Sequence, residues 1–186
     1  MYNILLGGVE YHNVNFKDTQ GELKLSNDDN TQFNKVTFNS NASIKGAGIF
    51  DSLILSQDRI YEFQGGYPQT INNHLEAKGG CKGWITMKSH SIDDTAIIVS
   101  SAGTISVENV MMVRVAASGG ANFLANNSAD KGGNPGWTFT SPTGQNHYWV
   151  GGPGNWSDTS HWSYSSGGPG GACVPTPFDN VYFDNN

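Results

Sequence analysis

Few side chains in this chain have the type and spacing that catalysis needs. Two adjacent acidic pairs occur, Asp28-Asp29 and Asp93-Asp94. Glycosidic cleavage works with paired carboxylates as acid and base, but both pairs sit among turn residues, where solvated acids are common. A lyase joins calcium to a basic group, and only Arg59 and Arg114 supply guanidinium groups. Strand alternation in Val113-Arg114-Val115 points Arg114 away from a core. His12, His74, His90, His147 and His161 share no motif, and each reads as a surface or turn residue. The expectation is a chain with neither catalysis nor a cofactor.

Two groupings have the chemistry of binding instead. Asp130-Lys131-Gly132-Gly133-Asn134, preceded by Asn126 and Asn127, offers closely spaced oxygens of the kind calcium accepts. Lys131 in its middle and a single carboxylate favour a structural turn whose side chains satisfy backbone groups, so no metal is assigned to Asp130 and Asn134. Tyr148, Trp149, Trp156, Trp162 and Tyr164 form an aromatic set. Such rings make a platform for sugars; they also pack over the open end of a strand stack, whose unpaired edges need cover. We favour the cap. Cys81 and Cys173 have no CxxC spacing and no His at ligand spacing, so zinc is not supported.

The composition narrows the partners. Charged residues make up 14% of the 186, net charge is −6, and there are 24 glycines. That is far below the usual quarter of charged residues and describes a surface of neutral polar groups. Ten Lys and Arg without a cluster leave no basic stripe for phosphate backbones, so nucleic acid is excluded as a partner. The longest apolar runs, Ala96-Ile97-Ile98-Val99 and Val110-Met111-Met112-Val113, fall short of the roughly 20 residues of a membrane span, and no membrane insertion is expected. Met1-Tyr2-Asn3-Ile4-Leu5-Leu6 lacks the regions of a secretory signal, and Met1 reads as the start of a gene fragment.

The elements that would position these residues are short strands in a repeat. The pattern apolar-x-x-apolar-x-apolar fits Tyr11-Val14-Phe16, Phe33-Val36-Phe38, Phe50-Leu53-Leu55, Val107-Val110-Met112 and Phe178-Val181-Phe183, with a looser copy at Ile71-Leu75-Ala77. The first three begin 22 and 17 residues apart. A repeat near that length, holding two or three brief strands, predicts one coil of a solenoid. The fold class is therefore all-β, a right-handed parallel β-helix over residues 1–140, with about six coils from about residue 9 onward. Residues 141–177 form a Trp/Gly/Pro-rich junction and cap, expected to fold back onto Gly136-Trp137-Thr138-Phe139. Residues 178–186 begin the next repeat unit. Cys81 and Cys173 then fall in different units, and each is expected to find a partner elsewhere.

The run from Trp149-Val150-Gly151-Gly152-Pro153-Gly154-Asn155-Trp156 through His161-Trp162-Ser163 to Val174-Pro175-Thr176 resembles a module-start signature in very large repetitive surface proteins of the Bacteroidota, the gliding-motility adhesins among them. Gln69-Thr70-Ile71-Asn72 with Gly80-Cys81 and Trp84-Ile85-Thr86, and Ala125-Asn126-Asn127-Ser128-Ala129-Asp130 with Trp137, resemble the preceding half of the same unit. Residues 1–59 share only the strand pattern. The resemblance implies an extracellular, cell-surface protein secreted by the type IX system, whose repeats extend an adhesive filament. Its partners would be neighbouring modules and surface polysaccharide. It also implies O-glycosylation at Ser52 in Asp51-Ser52-Leu53 and Thr95 in Asp94-Thr95-Ala96. The alternative is a carbohydrate-binding or polysaccharide-cleaving β-helix module.

Overall fold

The computed structural model describes residues 3–6, 10–17, 21–25 and 31–185, with side chains for 10–17 and 31–185. Asp28-Asp29 and the turn around them lie outside these. Period-two apolar runs become strands, in chain order β1 (Asn3–Leu6), β2 (Glu10–Phe16), β3 (Gly21–Leu25), β4 (Gln32–Phe38), β5 (Ala42–Lys45), β6 (Gly48–Leu55), β7 (Ile60–Phe63), β8 (Pro68–Ala77), β9 (Ile85–Ser89), β10 (Ala96–Ser100), β11 (Thr104–Glu108), β12 (Val110–Val113), β13 (Val115–Gly119), β14 (Asn122–Asn126), β15 (Ala129–Asp130) and β16 (Trp137–Phe139). Three further short strands, β17 (Asn146–Trp149), β18 (Trp162–Ser163) and β19 (Asn180–Tyr182), follow.

The first sixteen strands wind into a parallel β-solenoid of about five turns. One sheet runs β1-β3-β5-β7-β9-β12-β15, a second runs β13-β10-β8-β6-β4-β2, and a third, β11-β14-β16, opens only in the later coils. The apolar triplets stack as the repeat predicts. Tyr11, Phe33, Phe50 and Ile71 are register partners in turn, as are Val14, Val36, Leu53 and Leu75, and Phe16, Phe38, Leu55 and Ala77. Like rings lie nearly flat on one another, with Phe16 and Phe38 4.6 Å apart and Phe33 and Phe50 5.1 Å apart. Phe33, Phe38 and Phe50 are buried, each worth about 1.5–3 kcal/mol of burial. Tyr61 is buried beside them and donates its hydroxyl to the Phe38 and Ser56 carbonyls. Burial pushes that phenol up to about 12, so it stays a donor.

The looser copy has a local cause. Opposite Phe50-Asp51-Ser52, β8 carries one residue more, and the register shifts there so that Ser52 meets His74. The extra residue leaves Asn72, Asn73 and His74 exposed between buried Ile71 and Leu75, where the earlier strands have two outward residues such as Asp51 and Ser52. The same strand is where the second sheet divides: residues 68–70 of β8 pair with β10, while Lys78 bridges to Glu108 at the end of β11.

Two readings of the late coils are corrected. Val107-Val110-Met112 is not a single strand, because Val107 belongs to β11 and the other two to β12, with a corner between them at Asn109, whose φ is +54°. Arg114 is exposed, but it too is a left-handed corner residue (φ +53°) between β12 and β13, not an outward position within a strand. Asn tolerates this conformation because its short side chain bonds locally. Asn127 (φ +46°) stacks on Asn109 and donates its amide to that side chain, and Asn109 in turn donates to the Gly79 carbonyl. Further along the stack, Asn39 donates to Asn15 and accepts from Ser56. These polar ladders hold the turns as the apolar triplets hold the core.

The late end of the solenoid is covered by residues 131–140. Ala117 N–H donates to the Pro135 carbonyl, Val115 N–H to Asn134 Oδ1, and Thr140 N–H to the Ala125 carbonyl. Gly136 (φ +86°) runs so close that a Cβ there would lie 2.2 Å from the Ala117 oxygen. Trp137 is buried with its ring edge-on to Phe123.

Candidate functional site

The aromatic segment builds a second, smaller unit. β17 is its central strand, flanked by antiparallel β18 and parallel β19. Asp158 accepts from Ser160 N–H to start the 3-10 turn Thr159–His161, which delivers Trp162 to the centre. Trp162 is fully buried. Its ring stands edge-on to Trp149 (5.0 Å) and Trp156 (4.7 Å), and its Nε1–H donates to the Trp156 carbonyl at 2.8 Å. Trp149 lies flat on His161 at 4.8 Å, and Tyr148 on Tyr182 at 4.9 Å. Trp156 and Tyr164 remain half exposed. The four residues singled out as a platform or cap, Tyr148, Trp149, Trp156 and Trp162, thus come together in one unit, with Trp149 and Trp156 packed on Trp162 and Tyr148 packed on Tyr182. Their faces do not form a coplanar row, since the rings of Trp149 and Trp162 meet at 86°.

The bonds that tie this unit to the solenoid run elsewhere than the expected contact with residues 136–139. They meet the side of the coils, at the corner made by residues 78–84, Asn109 and Asn127. Cys81 and Cys173 form a disulfide, which corrects the expectation that each would pair outside this window. A sequence separation of 92 hides the proximity: the loop between β8 and β9 and the loop before β19 meet only once both are folded. Val174 N–H donates to the Cys81 carbonyl, Trp84 stacks on Phe178 at 5.2 Å, and Lys131 Nζ lies 5.7 Å from the centre of the Phe178 ring. Thr143 N–H donates to Asn127 Oδ1.

Between the two units lies a cleft of about 300 Å³, bordered by Lys78, Trp84, Asn109, Asn127, His147 and Asp179. Most of its polar groups serve the fold. Asp179 accepts from Gln145 N–H through Oδ1 and from the Thr176 N–H and hydroxyl through Oδ2. Burial pushes its carboxyl up, but these donors, with His147 nearby, outweigh it and hold the group below the usual carboxylate range. Lys78 is paired with Glu108 at 2.8 Å. His147 departs from the expected surface position: it is 3% exposed, sandwiched by the edges of Trp162 and Tyr164, 4.0 Å from Asp179 Oδ2. Its alternation in β17, between exposed Asn146 and half-buried Tyr148 and in register with Val181 of β19, turns it inward. Neither Asp179 nor His147 stood out in the sequence. The signal that could have found the first is Thr176-x-x-Asp179, a spacing that lets a carboxylate close on the N–H three residues back.

The remaining candidates are placed as follows. Asp130 Oδ1 accepts from Gly132 N–H and from the Asn134 amide, whose Oδ1 holds Val115 N–H. Their oxygens therefore close a turn. Among the described residues, no three His, Cys, Asp or Glu are gathered to hold a metal ion. Asp93 and Asp94 are exposed in the bend before β10. Ser52 lies mid-strand on the outer face between Lys35 and His74, and Thr95 sits at the entrance to β10 with its carbonyl accepting from Gly66 N–H. No family model matches the chain, and neither a curated protein nor a solved structure was found to be similar to it.

Proposed function

We propose that the chain is a structural, adhesive spacer module of a long extracellular cell-surface fibre, with no catalytic role of its own. The observation that carries this reading is the Cys81–Cys173 disulfide, which fastens the small unit across the side of the solenoid. Structural disulfides persist in oxidising compartments, and a staple between successive folding units suits a module under tension. Nearest-neighbour stacking supports the same reading, since a solenoid gains length by repetition. The Trp/Gly segment's resemblance to adhesin modules of the Bacteroidota adds secretion through the type IX route and O-glycans at Ser52 or Thr95. The edge-on packing of the tryptophans on one another supports a packing role over a sugar platform.

Deleting the coding segment from the source organism tests the reading. Growth in suspension should be unchanged, attachment to a surface should fall, and protease added to intact cells should release fragments of this chain. Unchanged attachment, with the chain protected from protease, would overturn it.

A further inference from the structure

The small unit is itself the start of a second parallel stack. β17 and β19 are parallel neighbours, and they repeat the ladder features of the solenoid: Tyr182 stacks on Tyr148 as Phe33 does on Tyr11, and Asn180 donates to Asn146 as Asn39 does to Asn15. The preceding edge of β17 is closed by antiparallel β18. Among the described residues β19 is the outermost strand on the other side, with Tyr182 42% and Phe183 67% exposed. A strand edge carrying two large exposed rings is an assembly surface unless something covers it.

Backbone polarity says what fits there. In β2, Phe16 points its side chain into the core, and its carbonyl accepts from Asn39 N–H on the following rung. Peptide groups alternate sides along a strand, and for L-residues the side chain's face fixes the direction of its own N–H and C=O. Asn180 N–H donates back to the Gln145 carbonyl, so Val181, the register partner of buried His147, directs its peptide groups away from β17. Inward residues therefore face the following rung in both stacks, and the two advance in the same sense. By the same alternation, Asn13 and Asn15 turn their peptide groups to the outer edge of β2, the outermost described strand of its sheet.

We infer that the outer edge of β19 takes the β2 edge of a second copy of this chain as its next parallel rung. The register is set by the shared apolar pattern, with Val181 opposite Val14, Tyr182 opposite Asn15 and Phe183 opposite Phe16. Val181 N–H then donates to the Asn13 carbonyl, and the Val181 carbonyl accepts from Asn15 N–H. Asn180 falls opposite Asn13, prolonging the Asn146–Asn180 ladder. The contact is head-to-tail, so it propagates into a filament instead of closing as a symmetric dimer. This inference rests on the spacer reading and names the surface by which modules join.

Cross-linking of the full chain tests it, with the native disulfide kept. Asn15→Cys and Tyr182→Cys lie on the outer face at register positions, and neighbouring rungs bring Cα atoms about 4.8 Å apart, within disulfide reach. Mixed under mild oxidation, the two variants should give on the order of tenfold more heterodimer than Asn15→Cys mixed with Asn180→Cys, which is two positions out of register. Sedimentation of the unmodified chain should show concentration-dependent oligomers that Phe183→Lys abolishes, with the folding of all four variants checked by circular dichroism. Equal cross-linking in and out of register, or a monomer up to about 1 mM, would overturn the inference. A chain that fails here yet is needed for surface attachment would leave the spacer reading standing, and the reverse result would separate them the other way.

Discussion

The solenoid and the small unit solve the same problem by different means. In the solenoid, like stacks on like: Tyr11, Phe33 and Phe50 in one column and Phe16 and Phe38 in another, with Asn39 bonding Asn15 across neighbouring rungs. Each rung adds about the same contacts as the last, and no single residue is the keystone. The small unit has only three short strands, too few to bury a core by repetition. It relies on one buried tryptophan, one carboxylate with three donors and one covalent staple. Repetition distributes stability; a short unit concentrates it.

The sharpest way to break that comparison is to remove the keystone. Trp162→Ala should cost the small unit about 3–5 kcal/mol, read by hydrogen exchange as lost protection over residues 146–183 while amides of β4, β6 and β8 stay protected. Equal loss in both regions would mean that they unfold as one. Cys81→Ser with Cys173→Ser should come next, costing about 2–4 kcal/mol and giving two thermal transitions in place of one by calorimetry. A single, unshifted transition would show the staple to be idle.

Asp179→Asn is expected to cost the small unit about 1–3 kcal/mol by disrupting the bonds from Gln145 and Thr176. Its carboxyl lies below the ordinary value in the folded state, so its stabilising contribution is present above an unfolded value of about 3.9 and is lost as pH falls through the folded value. Acid titration should therefore release the small unit below about pH 4, and the Asn variant should lack that step. Smallest of all is Trp156→Ala. This ring is half exposed, so the change in stability should be below about 1 kcal/mol. Binding to polysaccharide that disappears in this variant with the melting temperature unchanged would promote the sugar-binding alternative.

The ladder positions of the early coils were legible because each column repeats one apolar residue type at one spacing, and a period of two fixes which side faces in. Corners were not. Asn109 and Arg114 look like strand residues in sequence; only the turn of the chain into a new sheet shows that they adopt left-handed geometry. The division of the second sheet after β8 was equally hidden, since it depends on where β11 meets the end of a strand 30 residues earlier. In the small unit the aromatic grouping was visible, yet its docking place was not. Docking rests on Cys81 and Trp84 in one loop and on Lys131 in a later coil, and on the burial of His147, a residue whose type usually marks a surface.

The central claim is that the chain extends a filament by repetition. Small-angle scattering of covalent concatemers of one, two and three copies measures it directly. Seven rungs in the longest sheet, at about 4.8 Å each, give a stack about 30 Å tall. The account predicts that the maximum dimension grows linearly, by at least about 30 Å per copy, with a constant cross-section. A maximum dimension that rises only with the cube root of mass, as for a compact globule, would contradict it.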